Sequence, residues 1–131
     1  MSPSQPARQT GAFQQYVVTD IGVGKLIHIS GLTARDAAAF NIEEQAQIIF
    51  DKMKGYLEEQ GGSLSNLLKI NAYIVDMREY DAYNAVRNRV FSTCTTLPAS
   101  ATIGGAELVR ADNRIEIEGV AFIPTGASVS E

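Results

Sequence analysis

The chain of 131 residues reads as an α+β fold with the element order ββαβαββ, on three observations. A capped apolar stripe at helical spacing covers residues 42–60. A segment with strict period-two alternation follows over 67–75. A second helical stripe over 79–91 then precedes two further extended segments.

Taken in order, Phe13–Val18 is a plausible first strand and Gly22-Val23-Gly24 a turn. Lys25–Ser30 is a second strand, with Ile27 and Ile29 on one face and Leu26, His28 and Ser30 on the other. The two make a hairpin, and Gly31–Phe40 is a loop. Asn41 can cap the first helix, with Glu44 three residues later as in a capping box. Ile42, Ala46, Ile49, Phe50, Met53 and Leu57 give that helix one apolar stripe, and Gly61-Gly62 can end it. In the strand over 67–75, Leu68, Ile70, Ala72 and Ile74 share one face, and Lys69, Asn71, Tyr73 and Val75 the other. Tyr80, Tyr83, Val86 and Val90 form the stripe of the second helix. Ser100–Leu108 and Ile115–Ile123 are the last strands, joined by a turn at Ala111-Asp112-Asn113.

Two strand–helix–strand crossovers predict a mixed sheet with both helices on one face. Tyr73, Val75, Val120 and Phe122 then fall on the opposite face, where self-association would cover them. One domain over residues 12–123 is expected, with a flexible N-terminal segment (1–11) and a flexible C-terminal tail (124–131).

Composition narrows the function classes. The net charge is −4 and the basic residues are scattered, which argues against a nucleic-acid partner. No apolar run is long enough to span a bilayer, so no membrane partner is expected, and the polar N-terminus lacks the apolar segment of a secretory signal. One cysteine, Cys94, and one histidine, His28, point to the cytoplasm and to no metal site. No Gly-x-Gly-x-x-Gly opens a helix, and no cofactor is expected.

The C-terminal third carries two motifs, Leu97-Pro-Ala-Ser-Ala-Thr-Ile-Gly-Gly105 and Arg114-Ile-Glu-Ile-Glu-Gly-Val-Ala-Phe-Ile123. Together they resemble the paired signature of the RidA/YjgF family of small imine and enamine deaminases, over nearly the whole of residues 12–123. The resemblance implies a chorismate-mutase-like fold and a homotrimer with small-molecule ligands in clefts between subunits. It implies that Glu118 is the catalytic residue that positions a water. Imine hydrolysis needs a carboxylate near the water that attacks the C=N carbon. The same residues also read as the polar face of a last strand.

The departure is Ser100, where the family carries an arginine that grips the substrate carboxylate. A guanidinium offers a planar fork and a serine one neutral donor, so the usual 2-imino acid is not the expected substrate. Arg8, Arg87, Arg89 and Arg110 are candidate replacement cations, each more readily read as a solvated surface arginine. Thr102 stands where many members have a cysteine. Ser30 and Gly31 match a Ser-Gly pair lining the cleft, Asn84 a helix asparagine, and Tyr16 a tyrosine that closes over the site. No base or Gly-x-Ser-x-Gly elbow supports Ser100 as a nucleophile. The expected function is an imine or enamine deaminase-type hydrolase of altered specificity. The alternative is a non-catalytic trimer that binds a small metabolite.

Overall fold

Five strands and two helices make up the computed structural model, which describes residues 11–35 and 39–126. Strands β1 (Tyr16–Asp20) and β2 (Gly24–Leu32) form the expected hairpin. Gly22 turns it at φ 87°, and the Gly22 amide donates to Asp20 Oδ1 at 2.9 Å. Helix α1 (Ile42–Glu59) follows, then β3 (Leu67–Ile74), α2 (Tyr80–Val90), β4 (Ala99–Ile103) and β5 (Ile115–Pro124). Single 3₁₀ turns at Leu64–Asn66 and Met77–Glu79 lead into β3 and α2.

Helix α1 starts and stops as its sequence dictates. Asn41 Oδ1 accepts the Glu44 amide at 2.8 Å, and Glu44 Oε1 accepts the Phe40 amide at 3.2 Å. At the other end Gly61 takes φ 85°, and the Gly62 amide closes back to the Leu57 carbonyl at 2.8 Å. The whole predicted stripe from Ile42 to Leu57 is buried.

The sheet order is β1-β2-β5-β3-β4, with β3 and β4 parallel and every other pair antiparallel. This is the mixed α+β sheet expected, with both helices on one face. Strand β5 runs through its centre, and Ile115, Ile117, Ala121 and Ile123 bury the face beneath the helices. Gln45 ties α1 to the approach to β5. Its Nε2 donates to the Asp112 carbonyl at 3.0 Å and its Oε1 accepts the Arg114 amide at 2.8 Å, in a side chain only 2% exposed.

Three boundaries and one face assignment differ from the expectation. Strand β1 begins at Tyr16 rather than Phe13, because its ladder starts where Tyr16 pairs with Ile29. Strand β2 does not end at Ser30. A bulge at Ser30-Gly31 lets Ile29 pair with Gly119 and Leu32 with Ile117, both β2 side chains staying buried. A second bulge sits opposite Ala121 and Val120, so Leu67 takes the buried place and Leu68 is 53% exposed. Strand β4 stops at Ile103, since Gly105 turns at φ 69° and the Ala106 amide pairs with the Ile74 carbonyl.

The parallel register decides where the key motif points. Ser100 pairs with Ile70 and Thr102 with Ala72. Ile70 and Ala72 lie fully buried under the helices, so Ser100 and Thr102 face the helix side of the edge strand. Glu116, Glu118, Asn71 and Tyr73 occupy the other, helix-free face.

Candidate functional site

On the helix-free face the register sets Asn71 opposite Glu118 and Tyr73 opposite Glu116. Glu118 Oε2 accepts the Tyr73 hydroxyl at 2.8 Å and Asn71 Nδ2 at 3.0 Å. Donating to Glu118 raises the Tyr73 phenol, because removing its proton would set two negative charges together. The two donors fix the Glu118 carboxylate and leave its second oxygen for a water or a substrate proton.

Glu116 stands next on the same face. Burial, and then the charge of Glu118, raise its carboxyl above the ordinary range. Its carboxylate lies against Gly31, in the β2 bulge, where a Cβ would overlap it. Any larger residue there would push the Glu116 carboxylate aside. Two carboxyl groups in one row, one of them inclined to hold its proton, can share donor and acceptor roles.

The other half of the site is a groove of about 1270 Å³ between α2 and β4. Tyr80, Arg87, Phe91, Leu97, Ser100 and Thr102 contribute to its walls. Arg87 projects from α2 to the edge strand, where its Nη1 donates to Ser100 Oγ at 3.0 Å. Its Nη2 donates to Asn84 Oδ1 at 2.6 Å and to the Tyr80 hydroxyl at 2.9 Å. The Tyr83 ring centroid lies 5.1 Å from the guanidinium carbon, close enough for a cation–π contact. Cys94, half-buried, also lines the groove.

The residues expected at the site therefore divide. Glu118 and Gly31 lie on the helix-free face; Ser100 and Thr102 line the groove, and Asn84 holds Arg87 beside it. Ser30 sits in the bulge beside Gly31, and its hydroxyl donates to the Gln14 carbonyl at 2.5 Å, anchoring the chain before β1. Tyr16 is a different case. It is 1% exposed, its hydroxyl donates to Glu59 Oε1 at 2.6 Å, and it accepts Gln60 Nε2 at 3.2 Å. The structure places Tyr16 in the core at the end of α1, not over a cleft, because its register partner Ile29 faces the helices.

Of the candidate cations, Arg87 alone among the described residues reaches Ser100. Arg89 donates to Gln47 at 2.7 Å, and Arg110 pairs with Asp112 at 3.7 Å. Arg8 lies outside the described residues. Sequence reading missed the Asn71–Tyr73 support of Glu118, which depends on the register between β3 and β5. The signal for Arg87 was present: Tyr80, Asn84 and Arg87 recur at i, i+4 and i+7 on one helix face. Among the described residues no helix is long and apolar enough to cross a membrane.

Within one chain the sheet stands between the Glu118 row and the groove.

Comparison with known proteins agrees with the fold and the motifs. The family model described as endoribonuclease L-PSP matches residues 6–123. The chain is 30% identical over 108 residues to the 2-iminobutanoate/2-iminopropanoate deaminase of Dermatophagoides farinae, covering 79% of this chain and 82% of that protein. Among solved structures, the YjgF protein of E. coli superposes with a TM-score of 0.75 at 24% identity, over 92% of this chain and 94% of that one. RidA from the Antarctic bacterium Psychrobacter sp. PAMC 21119 gives 0.72 at 24% identity, over 94% and 97%. With its β5 glutamate and its Leu97–Gly105 motif set in this fold, the chain belongs to the RidA/YjgF family.

Proposed function

We propose that this protein hydrolyses a small imine or enamine in clefts formed between copies of a homotrimer, with a specificity altered by Ser100. The observation that carries the reading is the division of the site across the sheet. Glu118 with its two donors faces away from the helices, whereas the Ser100–Thr102 groove lies beneath them. A second copy, bringing its groove against the Glu118 face, unites the halves and covers Val17, Val75 and Ile103, each more than 40% exposed.

In such a cleft Glu118 holds a water against the C=N carbon and takes up its proton as the bond to oxygen forms. Asn71 and Tyr73 keep the carboxylate from rotating away. Glu116 is a second proton carrier, able to protonate the departing nitrogen. The products are a carbonyl compound and ammonia, and the electron count needs no redox partner. The deaminase name of the Dermatophagoides farinae relative supports the reaction class.

A ribonuclease reading finds little physical support. The net charge is −4, and Arg78, Arg110 and Arg114 pair with Asp76, Asp112 and Glu79. The remaining basic residues are scattered along the chain rather than gathered for a phosphate backbone. One observation favours a non-catalytic, metabolite-binding trimer: Asn71 and Tyr73 alone give Glu118 a structural role in the sheet. Coupling an amino-acid oxidase, which generates imines, to the purified protein separates the two. The proposal expects accelerated imine loss, and a fall of about 100-fold or more in kcat for Glu118→Ala. Imine loss at the uncatalysed rate with ligand still bound would favour the binding trimer; unchanged kcat in the variant would contradict the role of Glu118.

A further inference from the structure

The groove keeps a cation where β4 has lost one. Ser100 is exposed on the edge strand, and the guanidinium that meets its hydroxyl comes from α2, one hydrogen bond away at 3.0 Å. We infer that Arg87 is the anion anchor of this protein, and that the groove takes a small carboxylate with a partly apolar body. The difference from the family then lies in the element that delivers the cation. This assignment rests on the cleft reading above.

Three features support it. First, Arg87 is held by neutral acceptors alone. Ser100 Oγ, Asn84 Oδ1 and the Tyr80 hydroxyl accept from it, and among the described residues it makes no ion pair. The other arginines singled out here have partners elsewhere: Arg78, Arg110 and Arg114 pair with acids, and Arg89 bonds to α1. A half-buried charge with no counterion is costly, and an anionic ligand removes that cost.

Second, the guanidinium is pre-oriented. Asn84 stands one turn before it on the same helix face, Tyr80 two turns before, and the Tyr83 ring flanks it. An arginine fixed in this way loses little side-chain freedom on binding. The three named bonds take one Nη1 hydrogen and both Nη2 hydrogens, and the Tyr83 hydroxyl also interacts with the guanidinium, so at most two of its five N–H donors remain for a carboxylate. Third, part of the groove wall is apolar: Phe91, Leu97 and Met77 line it, beside polar residues that include Asp81, Asn88 and Ser92. They suit the carbon skeleton of a ligand whose charged end meets Arg87.

A purely structural arginine, tying α2 to β4, would show the same hydrogen bonds. The two roles part on charge selectivity and on rescue. Isothermal titration of the full-length protein with 2-oxobutanoate and with phenylpyruvate, each beside its neutral methyl ester, reads anion binding without requiring turnover. At least one acid is expected to bind about 10-fold or more tightly than its ester. In Arg87→Gln that acid should lose about 30-fold or more in affinity while its ester changes little. Arg87→Lys, which keeps the charge and loses the fork, should fall between. The double variant Arg87→Gln/Ser100→Arg should regain about 10-fold or more, since it returns a guanidinium to the groove from β4.

Equal affinity for acid and ester in the unmodified protein would overturn the proposal. So would acid binding in Arg87→Gln as tight as in the unmodified protein. Should Arg87→Gln not fold, Arg87→Lys and the double variant carry the same decision: affinity in both no better than for the ester sinks it. Because binding is read apart from turnover, loss of the deaminase reading and loss of the anchor give different results. Anion-selective binding without imine hydrolysis would remove only the former. Hydrolysis indifferent to Arg87 would remove only the latter.

Discussion

At the scale of single residues, the chemistry gathers on one row of β5. Glu118 is fixed by Asn71 and Tyr73, and Glu116 is pressed against Gly31 with its carboxyl raised by burial and by its neighbour's charge. The sign of the Glu116 effect on stability follows from linkage. Its folded form binds a proton more tightly than the unfolded chain, so ionised Glu116 costs stability at neutral pH. That cost fades as the pH falls through the folded pKa and is gone below the unfolded one. Glu116→Gln should therefore raise the Tm at about pH 7.5, and the gain should vanish by about pH 3.5, where the native carboxyl is already protonated. Thermal melts at the two pH values check this, and an equal gain at both would contradict it. Glu118 and Ser100 were legible as letters of a motif. The donors to Glu118 were not, because they depend on which residue of β3 stands opposite which residue of β5. Tyr16 shows the opposite failure: its position in a motif suggested a ligand contact, and its register with Ile29 sends it into the core.

At the scale of elements, capping and periodicity located both helices to within about two residues, as strong local signals do. The strand ends were harder. The bulges at Ser30-Gly31 and at Leu68 have no periodic signature, yet they set which side chains reach the helix-free face. The stop of β4 at Ile103 comes from the Gly104-Gly105 pair, which the alternation of the following residues obscured. Equally hidden was Gln45, a polar residue inside the apolar stripe of α1 whose amide satisfies backbone groups on either side of Asn113. Gln45→Leu would remove the part-buried side-chain partner of the Asp112 carbonyl and the Arg114 amide. The expected cost is about 1–3 kcal/mol per group left unpaired, enough to lower the urea midpoint clearly. Groove binding should persist in the folded variant, since Gln45 touches neither half of the site. An unchanged midpoint would show that water replaces the amide without penalty.

At the scale of the whole molecule, the sheet itself separates the two halves of the site. Glu118 looks out from the helix-free face and Ser100 from the helix side, and the proposed cleft accordingly draws on two copies of the chain. The sequence indicated an uncovered apolar face, but the side of the sheet taken by Ser100 follows only from the parallel pairing of β4 with β3. Light scattering should give the mass of a trimer, and a stable monomer that turns over imines would contradict the shared cleft.

The decisive measurement mixes two inactive proteins. Glu118→Ala removes the carboxylate half, and Ser100→Trp fills the groove half, so trimers made of either variant alone should be inactive. In trimers reassembled from an equal mixture, about one cleft in four joins an intact Glu118 from one chain to an intact groove from another. Imine hydrolysis should return to roughly a quarter of the unmodified rate. If each site were contained in a single chain, no chain in the mixture would be whole, and the rate would stay at the level of the parent variants.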